Sequence, residues 1–369
     1  MNEGLTQYFD NLLAGAKQLG ASDIHLLNGV PPMLRVTGEI RSVGNWRPMT
    51  AEILNNLSDA LLTPDQSALL ERQREISVSH LSPTCGRYRI TLYHRLGVRE
   101  MAIRIVQTAI HDRETLGLPS VVDDVVTQTS GLMLVTGPTG SGKTTTLNYM
   151  IDAVNKSLNG KIITVEDPVE FAHAHKRSIV TQIEVGTDTK GFAPFLRSIL
   201  RLDPDVIVIG EMRDRETIET ALTGAETGHL VLATLHTPSA IGTAERIVNV
   251  FPGDMQEQIA MQTAATLHAV VSQRLIPTVS KDKRVLATEV LLANSAVRHM
   301  IRERAFYKLR DALMTGVKQG MHSLERNLAE LYQNGTITRA MAYAHANSEF
   351  DLNVLLTENP SAAGKPSAR

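Results

Sequence analysis

The stretch GPTGSGKT at residues 137–144 constrains the fold of this chain more than any other part of the sequence. It matches the pattern G-x-x-x-x-G-K-[ST], in which glycines turn backbone N–H groups towards a phosphate at the start of a helix. The run LMLVT before it and the run TTTLNYMIDAVN after it have the character of a strand and a helix, which a chance glycine-rich turn would lack. The nucleotide-binding residues predicted from this pattern are Gly137, Pro138, Thr139, Gly140, Ser141, Gly142, Lys143, Thr144 and Thr145.

Apolar strands alternate with helices around this loop. The strand candidates are GLMLVTG, KIITVED, SIVTQIE, DVIVIGE and HLVLATLH, and continuous apolar strands of this kind indicate a sheet that is buried on both faces. Beyond Pro238 the pattern predicts helices, apart from the strand candidate RVLATEVLL at Arg284–Leu292. The predicted fold is therefore α/β from about residue 118 onwards.

Acidic residues at the ends of neighbouring strands complete the predicted site. The stretch GEMRD follows DVIVI, so Glu211 falls at the carboxyl end of a buried strand, the edge where ligands bind in parallel sheets. A glutamate there can polarise an attacking water, and Gly210 leaves room for nearby backbone or ligand. Glu166 in VEDPVEF ends the neighbouring strand, with a helix-capping or solvated carboxylate as its alternative role. Lys143 is expected to bridge the β- and γ-phosphates of ATP. The predicted Mg²⁺-binding residues are Thr144, Glu166 and Glu211.

Two histidines flank the last of these core strands. His229 stands in TGHLV and His236 in TLHT. A pair of histidines beside the strand that carries Glu211 suits a sensor of the γ-phosphate, whereas a single histidine at a strand end is usually a structural hydrogen-bonding group. Both interpretations stay open for each histidine.

The first third of the chain has a different pattern. Residues 1–106 begin with a helical pattern and contain a second helical stretch at Thr50–Gln73. Short strand candidates such as DIHLL and GRYRITLY flank that stretch, and apolar residues alternate with period two in GRYRITLY. Residues 107–117 show neither period and are predicted to be a linker. Residues 118–357 form the predicted ATPase domain, and residues 358–369 are Pro-, Ser-, Ala- and Gly-rich and predicted to be disordered.

Composition excludes several classes of protein. The formal net charge of −2 gives no electrostatic footprint for nucleic acid. The single cysteine, Cys85, excludes an internal disulfide and a cysteine-rich zinc site, and it fits a reducing cytosol. No run approaches the ~18 apolar residues of a membrane span. Membrane association is therefore expected only through a partner.

Four segments together resemble the motor ATPases of secretion systems and pili. They are GPTGSGKT, TVEDPVEF, DPDVIVIGEMRD and ETGHLVLATLHT, in the order of the Walker A, Asp, Walker B and His boxes of that superfamily, in which Walker B characteristically ends in Gly-Glu. The stretches ASDIHLLNGVPPMLRVTGEI and SAVRHMIRE are similar to the type IV pilus retraction ATPases, the PilT/PilU family. The resemblance covers roughly residues 1–355. Assembly motors usually carry a tetracysteine module and an extra N-terminal region. With one cysteine and this length, the chain is expected to be a retraction-type motor without either. Its long C-terminal part leaves the choice between PilT and PilU open.

The resemblance implies a PAS-like α+β domain followed by a RecA-like P-loop ATPase domain with a helical C-terminal extension. It implies a homohexamer that hydrolyses Mg-ATP to drive pilus retraction and twitching motility, with an inner-membrane platform protein and a paralogous retraction ATPase as partners. The expected location is cytoplasmic, peripheral at the inner membrane, with no nucleic acid bound. Arg89 and Arg104 match the family's phosphate-contacting arginines, and Arg197 and Arg201 match a second pair. For both pairs, the alternative role is that of solvated surface arginines.

The segment SAVRHMIRE matches the family segment AIRNLIRE, with His299 and Met300 in place of Asn and Leu. Its pattern predicts one apolar helical face, formed by Ala296, Val297, Met300 and Ile301, and a charged side with Arg298, Arg302 and Glu303. The charged side is expected to couple hydrolysis to retraction, with a solvated helix face as its alternative role. Three other functions remain open: a nucleic-acid motor, a non-hydrolysing ring subunit, and an ATPase of another secretion or conjugation system.

Overall fold

The computed structural model describes residues 3–36, 39–42, 46–82, 86–105, 110–280 and 283–358. These residues divide into two compact units. The N-terminal unit falls within Met1–Ala109 and Pro168–Ala172, and the P-loop unit falls within Ile110–Asp167 and His173–Arg369. Cys85, residues 107–109 of the predicted linker and residues 359–369 of the predicted tail lie outside the described residues.

The N-terminal unit contains a six-stranded sheet in the order β3-β2-β1-β6-β5-β4, in which all neighbouring strands are antiparallel. Its strands are β1 (Ala21–Leu26), β2 (Met33–Val36), β3 (Glu39–Ser42), β4 (Glu75–Ser82), β5 (Gly86–Arg95) and β6 (Val98–Ile105). Its helices are α1 (Glu3–Gln18), α2 (Ala51–Leu61) and α3 (Pro64–Gln73).

The alternation predicted for GRYRITLY is confirmed in β5. Tyr88, Ile90 and Leu92 are fully buried and share one core with Leu12 and Leu13 of α1. One face of the sheet and one face of the helix therefore form the same hydrophobic core, which accounts for the α+β organisation of this unit.

The helical stretch predicted at Thr50–Gln73 is confirmed, and it consists of two helices. The structure ends α2 at Leu61 and starts α3 at Pro64. Thr63 accepts a hydrogen bond from the backbone N–H of Gln66, whose side chain accepts one from the Thr63 N–H, so the pair forms a capping box. Proline at the first helical position, which has no N–H to donate, starts a new helix rather than continuing the old one.

The P-loop unit contains a seven-stranded sheet in the order β13-β12-β7-β11-β10-β8-β9, in which only β13 is antiparallel to its neighbour. The strands are β7 (Gly131–Thr136), β8 (Lys161–Glu166), β9 (Ile179–Glu184), β10 (Val206–Ile209), β11 (Leu230–Leu235), β12 (Leu267–Pro277) and β13 (Arg284–Leu292). Every residue of β7, β10 and β11 is buried, as expected for a sheet covered on both faces.

Helices cover this sheet, and further helices follow its last strand at the C-terminal end of the chain. They are α4 (Arg113–Leu116), α5 (Val121–Val126), α6 (Lys143–Ser157), α7 (Phe192–Ile199), α8 (Arg215–Glu226), α9 (Ala240–Asn249), α10 (Gln256–Thr266), α11 (Ser295–Arg302), α12 (Leu309–Thr315), α13 (Leu324–Gln333), α14 (Arg339–His345) and α15 (Glu349–Glu358). Among the described helices, none combines the length and the apolar character needed to cross a membrane. The predicted α/β fold with a helical C-terminal extension is confirmed.

One strand of this sheet was missed. Residues beyond Pro238 were predicted to be helical apart from β13, but β12 is an eleven-residue strand paired with both β7 and β13. Its run of buried apolar residues, which includes Val270 and Val271, has neither the period of a helix nor that of a half-buried strand. The strand follows α10 directly, and Thr266 ends the helix one residue before β12 begins.

Candidate active site

The phosphate-binding loop joins the end of β7 to the start of α6. Gly137, Gly140 and Gly142 have φ of 140°, 79° and 92°, in the region where glycine is favoured. Gly142 is the N-cap of α6, so the first backbone N–H groups of that helix face the loop. The Ser141 hydroxyl is buried, and no described residue forms a hydrogen bond with it. The backbone N–H groups at the start of α6 and the Ser141 hydroxyl can therefore donate to a phosphate group in the loop.

Gly137 has no space for a side chain. A Cβ at this position would lie 2.3 Å from the carbonyl oxygen of Gln273 in β12 and 2.7 Å from Oγ of Ser141. The loop is therefore packed directly against β12, the strand that the sequence did not predict.

We expect Gly137→Ala to weaken Mg·ADP binding by at least about 10-fold and to lower the thermal unfolding midpoint, because the backbone of β12 cannot move away. The control is Gly140→Ala in the same loop, where φ is also positive but a Cβ would meet nothing within 4 Å. This control isolates the backbone strain, about 1–2 kcal/mol. Equal effects of the two substitutions in calorimetric titration and thermal melts would contradict the packing argument.

Lys143 is held inside the loop. Its Nζ donates to the carbonyl oxygens of Gly137 at 2.8 Å and Pro138 at 3.1 Å, and it lies 3.4 Å from Nδ1 of His236. Burial lowers the pKa of Lys143, and the charge of Glu211 opposes that change. Lys143 is therefore a buried cation at the predicted phosphate site.

Glu211 lies beside this lysine and is held from two sides. One carboxylate oxygen lies 2.7 Å from Nε2 of His236, and the other lies 2.7 Å from the guanidinium of Arg213. Burial alone would raise the pKa of Glu211, but the hydrogen bond and charge of Arg213, with the charges of His236 and Lys143, lower it below its usual value. The carboxylate is therefore kept ionised, as an acceptor of a proton from water must be.

The glycine before Glu211 is explained by backbone packing. A Cβ on Gly210 would lie 3.1 Å from the carbonyl oxygen of Val165 and 3.3 Å from Cα of Glu166. Its N–H donates to that Val165 oxygen at 2.8 Å, and its own carbonyl accepts from Thr234. The space left by Gly210 is thus filled by the end of β8, which brings the strand ends carrying Glu166 and Glu211 together.

Glu166 is neither solvated nor a helix cap. Its side chain is buried, and its Oε1 accepts hydrogen bonds from Oγ1 of Thr164 at 2.6 Å and from Nε2 of Gln182 at 3.0 Å. It ends β8, next to β10 in the sheet. The structure thus removes both alternative roles, and a role for Glu166 in catalysis or metal binding stays a prediction.

The two predicted histidines lie at opposite ends of β11. His236 follows the carboxyl end and contacts Lys143 and Glu211. His229 precedes the strand, and its ring contacts the carbonyl oxygen of Gly224 and the hydroxyl of Thr227. Six strand residues, roughly 20 Å, separate the two histidines. The catalytic assignment of His229 is therefore wrong for the phosphate site of its own chain, although its structural alternative agrees with these contacts.

The four predicted arginines form two separate pairs. Arg89 of β5 and Arg104 of β6 lie directly opposite each other in the N-terminal unit, where Arg104 donates to Asp23 at 3.0 Å. Arg197 of α7 forms an ion pair with Glu216, in the first turn of α8. Arg201 is exposed in a 3-10 turn that leads to the amino end of β10. Their roles at a phosphate site stay predictions.

Two features predicted for SAVRHMIRE are wrong. Ala296 is exposed, so it does not belong to the apolar face that Val297 and Ile301 bury. Arg298 donates to the carbonyl oxygen of Ala293 at 2.8 Å and to those of Ala264 and Ala265, at the end of α10, at 2.5 Å. Burial lowers the pKa of Arg298. Arg298 therefore fixes α11 to α10, whereas Arg302 is exposed.

Two residues of the site were not assigned from the sequence. Arg213 belongs to GEMRD, but its contact with Glu211 depends on the turn after β10. Gln273 is fully buried in β12, and its Nε2 donates to Oγ1 of Thr146 in the first turn of α6 at 2.8 Å. The sequence indicated Gln273 only by placing a polar residue within a mostly apolar run.

The parallel sheet, the glycine loop and the lysine at the start of α6 define a P-loop nucleotide-binding protein. The family model described as type II/IV secretion system protein matches residues 70–352. The chain is 40% identical over 331 residues to the type IV pilus retraction ATPase PilT of Pseudomonas aeruginosa, a match that covers 90% of this chain and 96% of PilT. The chain belongs to the type II/IV secretion system protein family, within its PilT/PilU group.

Two further comparisons agree with this membership. The type IV pilus ATPase PilU of Pseudomonas aeruginosa is 36% identical over 348 residues, which cover 94% of this chain and 91% of PilU. A crystal structure of the pilus retraction motor PilT with bound ADP superposes with a TM-score of 0.87 at 40% identity. That match covers 93% of this chain and 98% of the solved chain. The similarity therefore extends over both units.

Proposed function

We propose that the protein is a motor that hydrolyses Mg-ATP to drive the retraction of type IV pili, and thereby twitching motility. The observation that carries the proposal is the chain of contacts from Lys143 through His236 to Glu211 at the phosphate-binding loop. The imidazole of His236 contacts both Lys143, the cation expected to bind phosphate, and Glu211, the candidate base. Membership of the PilT/PilU group supports pilus retraction as the work that hydrolysis drives.

In the proposed mechanism, Glu211 orients the attacking water and accepts its proton. Arg213 and His236 fix the direction of the carboxylate and keep it ionised. Lys143 exchanges its loop carbonyls for the β- and γ-phosphate oxygens, so its charge lies where negative charge develops. His236, in contact with both side chains, senses whether the γ-phosphate is present.

The side chains at this edge fit Mg²⁺ in the manner usual for nucleotide sites. Mg²⁺ is typically held by substrate phosphates with one or two protein oxygens, rather than by a complete set of protein ligands. The hydroxyl of Thr144, in the first turn of α6, and the carboxylates of Glu166 and Glu211 supply oxygens of this kind. When bound, Mg²⁺ would neutralise part of the phosphate charge.

The working form that we propose is a homohexamer on the cytoplasmic side of the inner membrane. A ring would let one subunit supply cations to the phosphate site of another, and Arg89, Arg104, Arg197 and Arg201 are the proposed donors. Exposed Arg201 at the amino end of β10 is suited to act on a neighbour rather than on its own loop. The proposed partners are the pilus platform protein and a paralogous retraction ATPase.

Two measurements test this function. The purified protein should release phosphate from ATP only with Mg²⁺, and DNA should not accelerate the reaction. Deletion of its gene in the source organism should abolish twitching and increase the number of surface pili, and wild-type protein should restore both. A secretion defect with normal twitching would instead assign the ATPase to another secretion system.

Because Arg298 binds backbone carbonyls, the exposed Arg302 is the arginine of SAVRHMIRE that we expect to couple hydrolysis to retraction. We expect Arg302→Glu to abolish twitching while the ATPase rate stays within about 2-fold, because exposed charges contribute little to stability. The control is Lys318→Glu, an exposed charge elsewhere in the C-terminal region, which should change neither. Arg298→Ala should instead lower the unfolding midpoint, since it removes three hydrogen bonds to backbone carbonyls. Normal twitching in Arg302→Glu would refute the coupling role.

A further inference from the structure

A network of side chains outside the phosphate loop holds Glu166. Thr164 and Gln182 lie directly opposite each other on the parallel strands β8 and β9, so both face the same side of the sheet as Glu166. Both donate to the same carboxylate oxygen, Oε1, at 2.6 Å and 3.0 Å. Two donors on one oxygen fix the rotation of a carboxylate.

The direction of the Gln182 amide is itself determined. Its Oε1 accepts the backbone N–H of His173 at 2.8 Å. A backbone N–H can only donate, so the amide oxygen must face His173 and the NH₂ group must face Glu166. If the amide were flipped, it would lose both hydrogen bonds.

The network continues to the helix of the phosphate-binding loop. Nε2 of His173 lies 2.9 Å from Oδ1 of Asn148, and both side chains are buried. An amide oxygen only accepts, so Nε2 carries the proton. Burial lowers the pKa of His173 to about 4, so the ring is neutral at physiological pH. Asn148 lies five residues after Lys143 in α6, about 7.5 Å along the helix axis.

We propose that Gln182 is a positioning residue for ATP hydrolysis, which fixes the Glu166 carboxylate relative to the helix that follows the phosphate-binding loop. This support runs from Thr164 to Asn148, and in it the Gln182 side chain contacts both Glu166 and the backbone of His173. The inference rests on the proposed function, because it requires that Glu166 acts in hydrolysis.

Two substitutions separate positioning from simple support of the fold. Gln182→Met keeps the length of the side chain but removes both hydrogen bonds. Gln182→Glu keeps an acceptor for the His173 N–H but, when ionised, has no donor for Glu166. At pH 8 we expect both variants to lower kcat by about 10- to 100-fold, with KM and Mg·ADP affinity within about 3-fold of the wild type. Thr181→Val, one residue away on the opposite face of β9, is the matched control and should leave kcat unchanged.

A double substitution identifies the route of the effect. In the Glu166→Gln background, Gln182→Met should lower kcat no further, because a positioning residue acts only through the group that it positions. A normal kcat in Gln182→Glu would show that Gln182 only supports the His173 segment, and an additive loss in the double variant would likewise overturn the proposal. Wild-type protein that binds Mg·ADP but hydrolyses no ATP would refute the proposed function itself. An active wild type with active Gln182 variants would refute only the positioning role.

Discussion

Glu211→Gln should bind nucleotide with wild-type affinity and lose ATP turnover by about 10²- to 10⁴-fold. The amide has nearly the same shape as the carboxylate, and its oxygen can still accept a hydrogen bond from Arg213 or His236, but it cannot take the proton of the attacking water. Calorimetric titration with Mg·ADP measures the first quantity, and a phosphate-release assay measures the second. This variant should therefore keep nucleotide binding while it loses hydrolysis.

Glu219→Gln is the matched control for this experiment. Glu219 is an exposed acid of α8, and the same chemical change there should leave turnover unchanged. Turnover near the wild-type rate in Glu211→Gln would contradict the assignment of Glu211 as the base. Glu166, at the end of β8, would then be the next candidate for the base.

Lys143→Ala should reduce both nucleotide affinity and turnover, the latter by about 10²- to 10³-fold or more. Nζ lies within hydrogen-bonding distance of two loop carbonyls, so the substitution removes the cation that the loop holds in position for the phosphates. Removal of this charge should also raise the pKa of Glu211, because Lys143 is one of the groups that lower it. The expected loss in affinity distinguishes this variant from Glu211→Gln.

Lys156→Ala controls for the loss of a lysine from the same helix. Lys156 lies near the end of α6, is exposed, and pairs with the buried Asp152, which Lys176 also contacts and would keep paired. We expect this variant to bind and hydrolyse ATP like the wild type. If Lys143→Ala retained tight Mg·ADP binding and normal turnover, the P-loop would not be the nucleotide site.

Local pattern predicted the parts of the site that lie next to each other in sequence. The phosphate loop and Glu211 each combine an apolar strand with a turn or an acid within a few residues, and such combinations have a defined place at the edge of a parallel sheet. The position of His236 was predicted for the same reason, since it directly follows a core strand. These are features for which neighbours in sequence determine neighbours in space.

The features that sequence did not predict depend on distant parts of the chain. His229 lies at the start of its strand, and only the direction of the strand shows that this end faces away from the phosphates. Arg298 has the spacing of a surface residue but reaches carbonyls more than thirty residues earlier. Strand β12 has no distinguishing period, because helices cover both of its faces: Val270 packs with residues of α9 and Val271 with residues of α6. Its neighbours β7 and β13 pair with its two edges and satisfy its backbone.

The place of β12 in the sheet has a consequence for how the protein is made. The strand that leads into the phosphate loop pairs with β11 and β12, which leave the ribosome about 100 and 135 residues later. Until Gln273 has been synthesised, the nascent chain lacks the carbonyl against which Gly137 packs, and one edge of β7 is unpaired. A chain whose translation stops before β12 therefore exposes an unpaired strand edge that favours aggregation.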